Sequence, residues 1–164
     1  MSLAFIENLS VPQLSPGGSI AALAGCNFQI MSAWRRIATE KLPQHRELIA
    51  RSDSVGMLWV DLWYIFVAAH RPPADEATIK SIYEFADWCL ADSRNADIST
   101  STICHFYEHL PTEASVRQLL PRYMSRQDFM GMSEVFKCHL SPDEHQDFLR
   151  EFMDGKERLL RAAI

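Results

Sequence analysis

Apolar residues recur three or four positions apart through most of the chain, and prolines interrupt this spacing at short intervals. A stripe with that period lies on one face of an α-helix and packs against a core. The alternation typical of strands is hard to find, and six glycines in 164 residues is roughly half of the usual share of about 7%. The sequence therefore predicts an all-α fold, an irregular bundle or stacked helical hairpins of six to eight helices. We expect the chain to form a single domain over 1–164, with 1–18 as an N-terminal extension and glycine turn.

Cap residues and prolines set the expected helix boundaries. Ser19 can cap a helix that runs to about Leu42, because its hydroxyl accepts from the free amides of the first turn. A second stretch, 44–70, is expected to be interrupted near 52–56 and to stop before two prolines. Further helix starts are expected at Asp75–Glu76, Ser125 and Ser141. A kink or break of a helix is expected at Pro121.

Membrane and nucleic-acid functions are not expected. The most apolar run, Val55–Ala69, has 15 residues with Asp61 at its centre, whereas a membrane span needs about 20 apolar residues. The net charge of −5 does not suit a polyanionic ligand. Four cysteines lie far apart without a paired motif, which predicts buried thiols in a reducing, cytoplasmic compartment.

The charge is unevenly distributed. Residues 53–97 hold eight acidic and three basic side chains, whereas 35–51 hold five basic and two acidic ones. An acidic surface can steer a basic protein partner toward it, although it can equally be an ordinary solvated face. The predicted partner-binding residues are the acids of this region, namely Asp75, Glu76, Glu84, Asp87 and Asp92.

The sharpest local motif is HFYEH at 105–109. Two histidines four residues apart share one helix face and can both bind zinc, and a neighbouring glutamate can activate a bound water. His105 and His109 are therefore the alternative metal ligands, although no downstream carboxylate is singled out as a third ligand. An incidental pairing of these side chains explains the motif equally well, and we expect neither a metal nor another cofactor.

Asp61 is the alternative catalytic residue, because it is an acid among aromatic and aliphatic neighbours. Desolvation raises the pKa of a carboxyl group in such surroundings, and perturbed carboxyls cluster at functional sites. An ion pair with an arginine, or a helix face that reaches solvent, would explain the same residue. Tryptophans and methionines could similarly line a ligand groove or fill the core, and these are Trp59, Trp63, Trp88, Met124, Met130 and Met132.

Four segments resemble a family of small, uncharacterised bacterial helical proteins, namely LWVDLW at 58–63, RPPADE at 71–76, IYEFADWCL at 82–90 and FYEHLP at 106–111. The resemblance implies an all-α fold and a role like that of immunity proteins, which neutralise toxins from neighbouring cells. It carries over no catalytic residue.

A second motif, SPGGSIAALAG at 15–25, is similar to the glycine-rich opening of the formiminotransferase-cyclodeaminase and methenyltetrahydrofolate cyclohydrolase family. That resemblance implies an all-helical homodimeric folate enzyme, with Gly17, Gly18 and Ser19 near the substrate and Asp61 in proton transfer. The match is short and lacks one glycine of the family pattern. A glycine loop capped by Ser19 accounts for the same residues without a substrate.

The preferred hypothesis is a cytoplasmic protein-binding module without enzymatic activity, with toxin neutralisation as its most concrete form. The folate enzyme is the alternative. The folate enzyme requires that the glycine turn and Asp61 line the same pocket.

Overall fold

Helices account for nearly all regular structure in the computed structural model, which describes residues 32–91 and 95–163. Within these ranges there are nine α-helices and no strand, which confirms the all-α prediction. Six of the nine helices have nine or more residues. The helices are Ala33–Lys41 (α1), Arg46–Arg51 (α2), Val55–Ala69 (α3), Glu76–Ala91 (α4), Ala96–His105 (α5), Ala114–Tyr123 (α6), Arg126–Gly131 (α7), Ser133–Phe136 (α8) and Pro142–Ala162 (α9).

Short 3-10 helices connect several of these elements, at Pro43–His45, Tyr107–Thr112 and Lys137–His139. All described residues belong to one compact unit, Met31–Ile164. Most of the helix predicted from Ser19 to Leu42 lies outside the described residues, and α1 is its described part. None of the described helices is long and apolar enough to cross a membrane.

Local capping signals predicted several helix starts correctly. The hydroxyl of Ser125 accepts from the amide of Asp128 at 3.0 Å and begins α7. Ser141 and Glu144 form a reciprocal capping box at the start of α9. Asp75 accepts from the amide of Thr78 at 3.1 Å ahead of α4. Each interaction satisfies an amide that has no partner within the helix.

The first aromatic layer of the core is centred on Trp59 in α3. Its ring stacks on Phe85 of α4 at 5.1 Å and on Phe106 at 4.9 Å. The indole N–H donates to Thr102 Oγ1 of α5 at 2.9 Å, so the polar edge of this fully buried side chain is satisfied. These contacts hold α3 against α4 and α5.

A second aromatic layer joins α7, α8 and α9 through four buried phenylalanines, Phe129, Phe136, Phe148 and Phe152. Next to this layer, α6 packs along α9. Pro121 does not break α6, which continues to Tyr123. Its buried ring lies against Gly155 of α9, a site where the absence of a side chain allows close approach.

Candidate functional site

Asp61 lies half-buried at the edge of an open cleft of about 600 Å³ between the 43–51 segment and α3. The cleft is also lined by His45, Arg46, Arg51 and Tyr64. Asp61 therefore reaches solvent, which is the simpler of the explanations that the sequence left open. Gly17, Gly18 and Ser19 lie outside the described residues, so a pocket shared with Asp61 stays a prediction.

The prediction that His105 and His109 share a helix face is wrong. Helix α5 ends at His105, and His109 belongs to the 3-10 helix that follows Phe106. The Nδ1–H of His105 donates to the carbonyl of Ser101 at 2.9 Å, because a carbonyl oxygen can only accept. In the described ranges no group of three or more histidine, cysteine or acidic side chains could hold a metal ion.

His109 instead stacks on His139 at 4.7 Å, and His139 Nε2 lies 3.6 Å from the Glu108 carboxylate. Burial and the neighbouring His139 lower the pKa of His109. The thiol of Cys104 is close to this group, and desolvation together with the Glu108 carboxylate raises its pKa. Such surroundings disfavour the thiolate that a nucleophile needs.

The expectation of buried cysteines is correct for Cys89 and wrong for Cys104 and Cys138. Both of these side chains are exposed, Cys104 at the end of α5 and Cys138 in the last 3-10 helix. Cys26 lies outside the described residues.

Three of the acids predicted to bind a partner make contacts within the fold. Asp75 caps α4, and Glu76 pairs with Arg122 of α6 at 3.1 Å. Glu84 lies 3.9 Å from each of two lysines, on α1 and on its own helix. Asp92 lies outside the described residues. Asp87 is therefore the predicted acid whose surroundings differ most from an ordinary surface ion pair.

Asp87 lines a cavity of about 420 Å³ that we call the tyrosine pocket. Its walls come from α4, the 3-10 helix at Tyr107–Thr112, and the segment from the end of α6 through α7. Three tyrosines and two carboxylates give it its chemical character. The lining residues are Tyr83, Asp87, Leu90, Tyr107, Tyr123, Met124, Gln127, Asp128, Gly131 and Met132.

The acidic edge of the tyrosine pocket concentrates negative charge. Burial raises the pKa of Asp87, and the Asp128 carboxylate raises it further. The Tyr107 hydroxyl points to Asp87 Oδ1 at 3.5 Å, and burial together with that carboxylate raises the pKa of Tyr107. Asp128 accepts from the Ser125 hydroxyl, which fixes its position at the first turn of α7. A cation placed between the two carboxylates would relieve their repulsion.

One lining residue of the tyrosine pocket carries a polar atom without a partner. Tyr83 is 7% exposed, and its hydroxyl is buried without a hydrogen bond. Its ring stacks on Tyr123 at 5.5 Å with an interplanar angle of 20°. Native proteins leave few buried polar groups unpaired, so such an atom at a cavity wall is a candidate ligand contact.

Sequence reasoning named Asp87, Met124 and Met132 but did not connect them. One usable signal was the spacing of Tyr83, Asp87 and Leu90, which places them on one face of α4. Tyr107, Tyr123 and Asp128 carried no comparable signal, because each comes from a different element that only the tertiary packing brings to this place.

Comparison with known proteins gave no matching family model, no matching curated protein and no matching solved structure.

Proposed function

We propose that this chain is a protein-binding module that docks on a basic region of a partner protein through α4 and the tyrosine pocket. Neutralisation of a toxin in the bacterial cytoplasm, as immunity proteins do, is the most concrete form of this activity. The observation that carries the proposal is the meeting of Asp87 and Asp128 at one cavity edge. Neither is ion-paired with a cation of the described residues.

The mechanism is occlusion. A basic active site covered by this surface loses access to its substrate, and no bond needs to be made or broken by the module. Carboxylates that have no ion-pair partner among the described residues steer a basic partner and fix its orientation more than they add affinity. The surrounding Glu76 and Glu84 contribute less, because they already pair within the fold.

Affinity capture from the native organism at physiological salt tests the proposal. Bait carrying Asp87→Asn and Asp128→Asn is compared with wild-type bait and with an Asp147→Asn control. Asp147 is an exposed acid of α9 that pairs with Arg150. We expect a basic partner to be enriched by wild type and by the control, and to be lost with the double variant.

Capture of the same partner by all three baits would contradict a role for the tyrosine pocket. Recovery of no partner at physiological salt, together with turnover of a folate by the purified chain, would contradict the proposed function itself. A toxin inhibited by the wild type and not by the double variant would support the more specific role.

A further inference from the structure

We propose that the tyrosine pocket binds a primary ammonium group, supplied by a lysine side chain of the partner. This inference rests on the proposed function and names the chemistry of its central contact.

The acceptors of the tyrosine pocket match the donors of a primary ammonium. An alkylammonium has three N–H donors and no acceptor. The tyrosine pocket is lined by Asp87 and Asp128, which carry carboxylates, and by Tyr83, whose buried hydroxyl oxygen has no hydrogen-bond partner. Three acceptors of which two are charged suit this group, and its arrival would give the Tyr83 oxygen the hydrogen bond it lacks.

The aromatic walls also favour a cation. Tyr83 and Tyr123 stack at 5.5 Å, and Tyr107 also lines the pocket, with its hydroxyl near Asp87. A cation within about 6 Å of such a ring is attracted by its quadrupole. The volume of about 420 Å³ is within the range of roughly 300–1,000 Å³ typical of ligand pockets. It accommodates the four-carbon stem of lysine against Leu90, Met124 and Met132.

Other cationic groups fit the donors and acceptors less well. A quaternary ammonium has no N–H, so the Tyr83 hydroxyl would remain unpartnered. A guanidinium has a rigid planar fork that suits a single bidentate carboxylate. Here the two carboxylates come from separate helices, α4 and α7, and a compact charge with rotatable donors matches them better.

Titration of the full-length protein with defined amines, followed by amide chemical shifts at constant ionic strength, tests the inference. The probes are N-acetyl-lysine methylamide, its ε-trimethylated form and butylammonium. We expect the capped lysine to bind with shifts confined to 83–91 and 123–132. The trimethylated probe should bind about tenfold more weakly, because hydrogen bonds to charged groups are lost.

Tyr83→Phe provides a discriminating variant. It should weaken capped-lysine binding about tenfold. It should also raise the Tm of the free protein by about 2–4 °C, because a buried unpartnered hydroxyl is removed. Asp87→Asn should weaken binding to a similar extent, and Asp147→Asn, at an exposed acid of α9 outside the tyrosine pocket, should bind like wild type.

The outcomes separate this inference from the proposed function. Failure of every primary amine to bind, or equal binding to the trimethylated probe or to Tyr83→Phe, overturns the ammonium pocket. The affinity capture experiment, which tests docking through the acidic surface, does not depend on the result of the amine titration. Binding of butylammonium without capped lysine supports an ammonium site and overturns its link to a partner lysine.

Discussion

Replacement of Gly155 by alanine should destabilise the protein, although alanine is the better helix former. Gly155 lies within the 21-residue helix α9. A Cβ atom there would be 2.5 Å from Cγ and 3.0 Å from Cβ of Pro121 in α6. Carbon atoms pack at about 3.5–4.0 Å, so the two helices would have to separate by roughly 1 Å. The proline ring cannot rotate away as a long flexible side chain can.

The magnitude follows from two opposing effects. Alanine gains about 1 kcal/mol of helix propensity over glycine. Overpacking a well-packed site costs about 1–3 kcal/mol. We expect a net loss of about 1 kcal/mol in the free energy of unfolding. For a chain of this length the corresponding fall in Tm is about 2–4 °C.

Urea denaturation of Gly155→Ala and Gly131→Ala, followed by circular dichroism, measures this contrast. A Cβ at Gly131 meets nothing within 4 Å, so Gly131→Ala should stabilise by about 0.5 kcal/mol. In a Pro121→Ala background the 2.5 Å contact with Cγ is removed while the 3.0 Å contact with Cβ stays, so Gly155→Ala should destabilise less than it does in the wild type. Stabilisation by Gly155→Ala in the wild-type background would refute the packing argument.

Three further predictions concern the core, one helix cap and pH. Trp59→Phe should lower the free energy of unfolding by about 2–4 kcal/mol in urea denaturation, because it leaves a void and removes the N–H that donates to Thr102. A loss of stability no larger than that of Trp63→Phe would contradict this. Ser141→Ala should cost about 1 kcal/mol in the same assay by removing the capping box, whereas Ser141→Asp should be close to wild type. Burial lowers the pKa of His70, so the unfolded chain takes up its proton first and stability should fall as the pH drops below about 6.5. Urea midpoints at pH 7.5 and 5.5 should therefore differ less for His70→Gln than for wild type, and an unchanged difference would exclude His70 as the cause.

Local signals were sufficient for much of the fold. The capping box at Ser141 and the caps at Ser125 and Asp75 involve residues three apart, so the sequence contains both partners. The interruption between α2 and α3 likewise coincides with the expected break near 52–56. These features depend on neighbours along the chain, which is why they were predictable.

Tertiary packing decided the rest. The HFYEH motif does not continue α5, because the helix ends before Phe106, whose buried ring stacks on Trp59 and lies edge-on to Phe66. Pro121 was expected to kink or break its helix and instead forms the contact surface for Gly155. The tyrosine pocket depends on which helices become neighbours, and the period of apolar residues does not specify that.

Hydrogen–deuterium exchange of the purified complex with the captured partner tests the central claim most directly. If the partner docks at Asp87 and Asp128, amides in 83–91 and 123–132 should gain protection from exchange on binding. The protection of the 43–51 segment at the Asp61 cleft should not change. Protection confined to the Asp61 cleft or to the far end of α9, with none around Asp87 and Asp128, would contradict it.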